Sequence, residues 1–176
     1  MRIQAFNADY APTLYRWYHD QRLHHYFRGF IRGASFEQCA AAPELLRANI
    51  LIGLEDDIPV GLVSLADTDV VLRSYKLGLL TDLDHQHKGY GRDLLEGGLK
   101  WAFQTMNAHK VTLEILETDS RTIRGGERCG FMPEGKRRSS CYLDGKFYDE
   151  VVLSMLQSEY KERYYGRTET TTARNG

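Results

Sequence analysis

The sequence predicts a single α/β domain, of the α+β kind, in which a mostly antiparallel sheet is combined with helices. Residues 49–82 have the pattern of three consecutive strands, separated by turn-forming segments at 55–57 and 66–69. Apolar residues then recur at helical spacing over 89–106, and Asp144-Gly145 marks a hairpin turn near the C-terminus. A chain of 176 residues fits one domain of ordinary size.

The composition excludes several classes of protein. The formal net charge of -1 provides no basic excess for a nucleic-acid backbone or an anionic membrane. The first residues lack the apolar core of a signal peptide, and no run of about 20 apolar residues could span a bilayer. The three cysteines contain no CxxC pair, which argues against a disulfide framework or a zinc site. We therefore expect a cytoplasmic protein that binds neither membrane nor nucleic acid.

The N-terminal elements follow from local patterns. Residues 1–6 predict a short edge strand, and apolar residues at helical spacing predict a helix over Ala11 to His19. Ser35 and Gln38 resemble a capping box that begins a second helix, which ends near Leu46. After this helix, the spacing of the apolar residues changes from a helical period to the pattern of the three strands.

The C-terminal elements complete the order β, α, α, β, β, β, α, β, α, β, β. Val111, Leu113 and Ile115 alternate within a predicted strand, and Gly130 can end the next helix in a left-handed conformation. The predicted bounds are Lys110 to Glu117 for the strand, Ser120 to Arg128 for the helix, Cys141 to Leu143 and Phe147 to Leu156 for the hairpin, and 161–176 for a polar tail.

The loop HQHKGYGRDL, residues 85–94, joins a strand to a helix and carries the first functional signal. Backbone amides at the positive end of a helix dipole suit a phosphate or pyrophosphate. Gly89 and Gly91 leave room for a ligand, and Lys88 and Arg92 add positive charge. The loop is not a Walker A motif, in which the lysine follows the glycines, because here Lys88 precedes them. It also lacks the third glycine of a dinucleotide-binding fingerprint. A glycine-rich connection without a ligand is the alternative reading.

Two segments resemble the GNAT superfamily of acyl-CoA-dependent N-acyltransferases. Gln86 to Gly91 matches the consensus of its pyrophosphate loop. This consensus begins with Gln or Arg, continues with two residues of any type and a Gly, and ends with one residue of any type followed by Gly or Ala. The segment from Asp119 to Leu156 is similar to the RimJ/RimL-like branch. Its matching residues are Arg124, Glu127, Arg128, Gly130, Phe131, Glu134, Gly135, Arg138, Gly145, Asp149 and Leu153, with Phe147 where the branch has Tyr. Two spaced matches identify the chain as a member of this superfamily.

The resemblance implies a GNAT fold over residues 1–160. This fold is a mixed, mostly antiparallel twisted sheet of about seven strands with about four helices, splayed between strands 4 and 5. Acetyl-CoA, the acyl donor substrate, would lie in the splay, with its pantetheine along Leu79 to Thr81 and its pyrophosphate on the loop amides. The implied cofactor-binding residues are Leu79, Leu80, Thr81, Gln86, His87, Lys88, Gly89, Tyr90, Gly91, Arg92, Asp119 and Arg124.

The resemblance also implies direct attack by a neutral amine in a ternary complex, without a covalent enzyme intermediate. Cys129 is then a core residue, and no metal is expected despite His85 and His87. A base must remove a proton from the ammonium, because only the free amine attacks.

The chain departs from the family pattern where that base is expected. Lys76 replaces a common Glu of the fourth strand, and Gly126 replaces a Tyr that often serves as the acid. The remaining candidates are Asp119, which is preferred, then Glu117 and Glu114. For Glu117 and Glu114 the alternative interpretation is an ordinary solvated carboxylate at a strand end. Alternation along a strand should point Glu114 and Glu117 to opposite faces.

The acceptor side in this family is formed by the first helices, their loop and the last hairpin. The corresponding candidates are His24, His25, Tyr26, Arg28, Tyr142 and Tyr148, whereas Trp17 and Phe27 fit the core better. The expected partner is a small-molecule amine (amino sugar, polyamine or amino acid) or a protein N-terminus. Exposed strand edges of this fold can pair between copies, so a homodimer is one state it allows. The alternative function is a catalytically impaired module that binds acyl-CoA.

Overall fold

The computed structural model describes residues 1–23, 34–46, 48–69 and 71–166 and contains one seven-stranded sheet. Its strands are Arg2–Ala5 (β1), Ala48–Glu55 (β2), Ile58–Asp69 (β3), Ser74–Thr81 (β4), Lys110–Leu116 (β5), Met132–Leu143 (β6) and Lys146–Leu156 (β7). They lie in the order β1-β2-β3-β4-β5-β7-β6, and every neighbouring pair is antiparallel except β4 and β5. The predicted mixed sheet of seven strands is confirmed.

The described part of the chain contains six α-helices, two more than expected. They are Ala11–His19 (α1), Phe36–Ala40 (α2), Ala42–Leu46 (α3), Tyr90–Lys100 (α4), Ser120–Cys129 (α5) and Gln157–Tyr165 (α6). The capping box at Ser35 and Gln38 is present, but the helix it begins is interrupted at Ala41. None of the helices in these ranges combines the length and apolar character that a membrane span needs.

The sheet is packed on both faces, and β4 contributes to both cores because its side chains alternate. Leu77 lies in the core with α4, α5 and α6, together with Leu99 and Cys129. Leu80 lies in the opposite core with α1 and α2, where Trp17 is 2% exposed. The expected core positions of Trp17 and Cys129 are confirmed, and β4 is fixed between the two layers.

Two C-terminal elements differ from the sequence prediction. β6 begins at Met132, nine positions before the predicted Cys141. The sequence did not indicate this part of the strand, because its residues are exposed as far as Ser140 and show no apolar alternation. The chain also continues past β7 into α6, whose Tyr160 is buried and stacks on Phe103 with ring centroids 4.7 Å apart. Residues 161–165 therefore belong to a packed helix, although the sequence assigned them to a polar tail.

Gly61 of β3 lies where β3 and β4 approach each other next to α4. A Cβ added there would lie 2.3 Å from the Leu80 carbonyl oxygen and 2.6 Å from a Leu94 methyl group. We expect Gly61→Ala to lower the free energy of unfolding by about 1–3 kcal/mol, because backbone cannot move aside as a flexible side chain can. Urea denaturation monitored by circular dichroism measures this change.

Gly125 of α5 provides the matched control. An added Cβ there meets no atom within 4 Å. Alanine in a helix interior is about 0.5–1 kcal/mol more favourable than glycine, so Gly125→Ala should raise stability. Equal destabilisation of both variants would contradict the close approach of β3 to β4.

Candidate functional site

The parallel pair β4 and β5 separates soon after it begins. The two strands pair only at Ser74–Lys110, Tyr75–Val111 and Lys76–Thr112. Beyond this point β4 continues to Thr81 while remaining paired with β3, so its backbone groups that face β5 have no strand partner in the described chain. The predicted splay between strands 4 and 5 is therefore present. An extended ligand could hydrogen bond to this open edge as a strand would.

The connection from β4 to α4 is shaped by two left-handed residues. Gly89 is the residue before α4 and has a φ of 95°, a conformation that glycine adopts without strain. His87 has a φ of 64°, which is uncommon for a residue with a side chain. An added Cβ at Gly89 would have no atom within 4 Å, so the space over the loop is open. Gly89 is required by the backbone conformation rather than by crowding from the protein.

The turn preceding α4 presents a row of amides. Arg92 donates its amide to the Gly89 carbonyl over 2.9 Å, whereas within the described residues the amides of 87–91 have no acceptor. These groups lie at the N-terminus of an eleven-residue helix, where its dipole is positive. Such an arrangement of amides suits an anion, which the sequence analysis expected here as a phosphate.

The basic side chains near this loop form different contacts. Lys88 Nζ donates to the Asp84 carbonyl oxygen over 3.0 Å, and Arg92 pairs with Glu96 over 2.9 Å. Arg121 of α5, which the sequence analysis missed, places its Nη1 atom 2.5 Å from Nδ1 of His87. Arg124 is exposed three positions further along the same helix. The i, i+3 spacing of the two arginines was the available signal, because such residues share a helix face.

Asp82 fixes the start of the loop and is the second residue that the sequence analysis missed. The residue is 5% exposed, and its carboxylate accepts hydrogen bonds from the Trp17 indole (2.5 Å), the Arg16 guanidinium (2.9 Å) and the Asp84 amide (3.0 Å). His85 Nδ1 lies 3.3 Å away. Burial acts to raise the pKa of Asp82, but these hydrogen bonds and the Arg16 charge outweigh it and lower the pKa. Asp82 thereby links α1 to the loop.

Asp82→Asn is expected to reduce the free energy of unfolding by about 1–3 kcal/mol at pH 7, since a buried charged hydrogen-bond network is weakened. Because the pKa of Asp82 is lowered in the folded state, the ionised carboxylate contributes to the free energy of unfolding at pH values above its pKa in the unfolded chain, near 4. That contribution is lost as the pH falls through the folded value. Urea denaturation at several pH values should show the two proteins converging in acid. Asp57→Asn, at a carboxylate 86% exposed, is the control and should change stability little.

The three candidate carboxylates lie in different environments. Glu117 is exposed and pairs with Lys136 of β6 over 2.7 Å. Asp119 caps α5, accepting from the Thr122 amide at 3.0 Å and from its hydroxyl at 2.6 Å. Both carboxylates therefore have structural contacts at the end of β5.

Glu114 lies on β5 close to the point where the splay opens. Its carboxylate forms ion pairs with Lys76 of β4 and with Arg137 of β6, the latter over 2.7 Å. Lys76 belongs to the last pair of residues that joins β4 to β5. We call Lys76, Glu114 and Arg137 the splay cluster. It places a carboxylate and two cations at the apex of the open gap.

The acceptor-side candidates are placed only in part. His24, His25, Tyr26 and Arg28, together with Phe27, lie outside the described residues. Tyr142 is 62% exposed at the tip of the β6–β7 hairpin, and Tyr148 is half-buried there. This hairpin extends past the end of β5, since Glu117 donates its amide to the Asp149 carbonyl oxygen. Its tip thus lies at the same end of the sheet as the open splay.

Cys129 is 4% exposed in the core, and burial, with the nearby Glu96 carboxylate, raises the pKa of its thiol. This disfavours the reactive thiolate. In the described ranges, no three His, Cys, Asp or Glu side chains lie close enough to hold a metal ion.

A separate depression of about 700 Å³ lies between β1 and the outer side of α4, lined by Ile3, Glu96 and Trp101 among others. It is not formed by the residues of the splay, so it is a second location where a ligand could be sought.

Comparison with known proteins agrees with this geometry. The model of the acetyltransferase (GNAT) domain family matches residues 1–132. A spermidine N(1)-acetyltransferase of Vibrio cholerae is 30% identical over 104 residues, which are 59% of this chain and 60% of that protein. The SPbeta prophage-derived uncharacterized N-acetyltransferase YokL of Bacillus subtilis is 24% identical over 106 residues, 60% of each chain. The chain thus spans about three fifths of the length of these curated relatives.

The fold is shared with a solved structure. The spermidine N-acetyltransferase of Vibrio cholerae in complex with CoA and spermine has a TM-score of 0.83, with 21% sequence identity, over 90% of this chain and 96% of that one. At this identity the likeness concerns the fold alone. The family match extends over β1 to β5 and the loop, which is most of the chain. This protein is a member of the acetyltransferase (GNAT) domain family.

Proposed function

We propose that the protein transfers an acetyl group from acetyl-CoA to a primary amine in a ternary complex. The observation that carries the proposal is the combination of the splay with the row of amides at 87–91. The open edge of β4 suits an extended chain with amide groups, and the loop suits a pyrophosphate at its far end. Pantetheine and the pyrophosphate of CoA have these two features in this order.

In this proposal Leu79, Leu80 and Thr81 hold the pantetheine through backbone hydrogen bonds. The amides of residues 87–91 hold the pyrophosphate, and Arg121, three positions before the predicted Arg124, adds a positive charge beside His87. Charge-assisted hydrogen bonds of this kind are about twice as strong as neutral ones. The thioester is then oriented towards the apex of the splay.

Among the three candidate carboxylates, we assign Glu114 as the proton acceptor. It is the one that joins β4 to β5 through an ion pair at the apex, whereas Glu117 pairs with Lys136 and Asp119 caps α5. Glu114 takes a proton from the ammonium, and the free amine attacks the thioester carbonyl. Holding the two reactants together supplies much of the rate enhancement in such reactions.

The acceptor is a small-molecule amine in this proposal, which is supported by the spermidine acetyltransferase among the relatives. A steady-state assay of thioester consumption with a panel of primary amines tests the function. We expect release of free CoA that requires both the protein and an amine. Tight binding of CoA without turnover of any amine would instead support the alternative of an acyl-CoA-binding module.

A further inference from the structure

The splay cluster presents its cations, rather than its carboxylate, to an approaching molecule. The Glu114 side chain is 15% exposed, whereas those of Lys76 and Arg137 are 39% and 53% exposed. Glu150, which is the cross-strand neighbour of Arg137, is 2% exposed, so its carboxylate does not contact an approaching molecule. An incoming acceptor therefore meets two positive charges before it reaches the carboxylate.

This arrangement distinguishes between classes of amine. A polyamine carries several ammonium groups, and those that do not react would lie next to Lys76 and Arg137 as like charges. Like charges that face each other at a recognition site lower the affinity of a ligand, and proteins use such repulsion to reject unsuitable ligands. An acceptor with an anionic group beside its amine would be attracted by the same two cations.

We infer that the acceptor is a small zwitterion of the amino-acid class, in which one primary amine and one carboxylate lie a few atoms apart. The inference rests on the proposed acetyl transfer and specifies its substrate class. The acceptor's carboxylate pairs with Arg137 and Lys76, and its ammonium donates to Glu114.

The spacing of the splay cluster limits how far apart these two groups lie. Arg137 Nη1 and Glu114 Oε1 are 2.7 Å apart. A ligand that hydrogen bonds to both side chains places its nitrogen and its carboxylate oxygen roughly 3–5 Å from each other, given ordinary hydrogen-bond lengths. α-Amino and β-amino acids have this spacing, whereas amines with a distant anion do not.

The chemical step balances with these groups. The acceptor's carboxylate joins Glu114 as a partner of the two cations, and the Glu114 carboxylate accepts one proton from the ammonium. The nitrogen lone pair then forms the N–C bond to the acetyl carbonyl carbon, and the C–S bond breaks with its electrons on sulfur. The second proton of the nitrogen passes to the thiolate, giving an amide and CoA-SH, and Glu114 releases its proton to water.

Three acceptors of similar length test the charge preference directly. β-Alanine, propylamine and 1,3-diaminopropane share a primary amine but end in an anion, a methyl group and a cation. We expect kcat/KM to decrease in that order, with β-alanine at least roughly tenfold above 1,3-diaminopropane. Equal values, or the reverse order, would overturn the inference while leaving acetyl transfer intact. Failure of every amine, although CoA binds, would overturn the proposed function and this inference with it.

Substitutions in the splay cluster separate recognition from folding. Arg137→Gln should lower the ratio of kcat/KM for β-alanine to that for propylamine by about tenfold, and Lys76→Met should act in the same direction. Arg138→Gln removes an equal charge from the next residue of β6, which forms no ion pair with Glu114 in the described structure, and should leave the ratio unchanged. A ratio that is the same in all three variants and the native protein would contradict the role of these cations, whatever the stability of the variants.

Discussion

Gly89→Val is expected to weaken CoA binding by about 100-fold, because two or more charge-assisted hydrogen bonds of the loop are lost. Gly89 has a φ of 95°, and a β-branched side chain strongly disfavours this region. The backbone must rotate to accommodate valine, so the amides of residues 87–91 no longer point to one anion. Isothermal titration calorimetry with CoA measures the change.

The matched control is Gly145→Val in the β6–β7 turn. Gly145 has a φ of 82°, and like Gly89 it has no atom within 4 Å of an added Cβ. The two variants therefore impose the same backbone strain in different places. Gly145→Val should lose stability but keep the affinity for CoA. Equal loss of affinity in both would indicate a general effect of instability and contradict the role of the loop.

Glu114→Gln is expected to lower kcat by about 10²–10⁴-fold, the usual contribution of a positioned general base. The amide keeps the shape of the side chain but cannot accept the proton. CoA affinity should remain, since Glu114 is not part of the proposed CoA contacts. The deficit should become smaller as the pH rises, because more of the amine is then already deprotonated in solution.

Glu117→Gln is the comparison variant, since its carboxylate is exposed and pairs with Lys136. Its kcat should fall far less than that of Glu114→Gln. A pH-independent deficit in Glu114→Gln, or an equal loss in Glu117→Gln, would exclude Glu114 as the proton acceptor.

Local signals explain why much of the fold could be predicted. The capping box at Ser35, the left-handed Gly130 after α5 and the turn at Asp144-Gly145 each depend on a few neighbouring residues. The start of β6 was missed because its exposed residues lack the apolar alternation that indicates a strand. The interruption at Ala41 was missed although Pro43, the second residue of α3, marks it, because a proline has no amide to donate to the preceding turn.

The contacts of the candidate site were harder to predict from the sequence, because they join residues that are distant along the chain. Trp17 and Asp82 are 65 positions apart, and Lys76 and Glu114 are 38 apart. Arg137 reaches Glu114 across β7, which lies between their strands, so the contact depends on the register of three strands. The loop could be recognised from its own residues, whereas the environment of the carboxylates depends on tertiary packing.

The proposed function requires that CoA binds at the loop and in the splay. Titration of CoA into ¹⁵N-labelled protein, followed by amide chemical shifts, locates the bound CoA. We predict the largest shifts at residues 87–91 and along β4 from Leu79 to Thr81. Shifts confined to the depression between β1 and α4, at Ile3, Gly97 and Trp101, with none in the loop, would contradict the account.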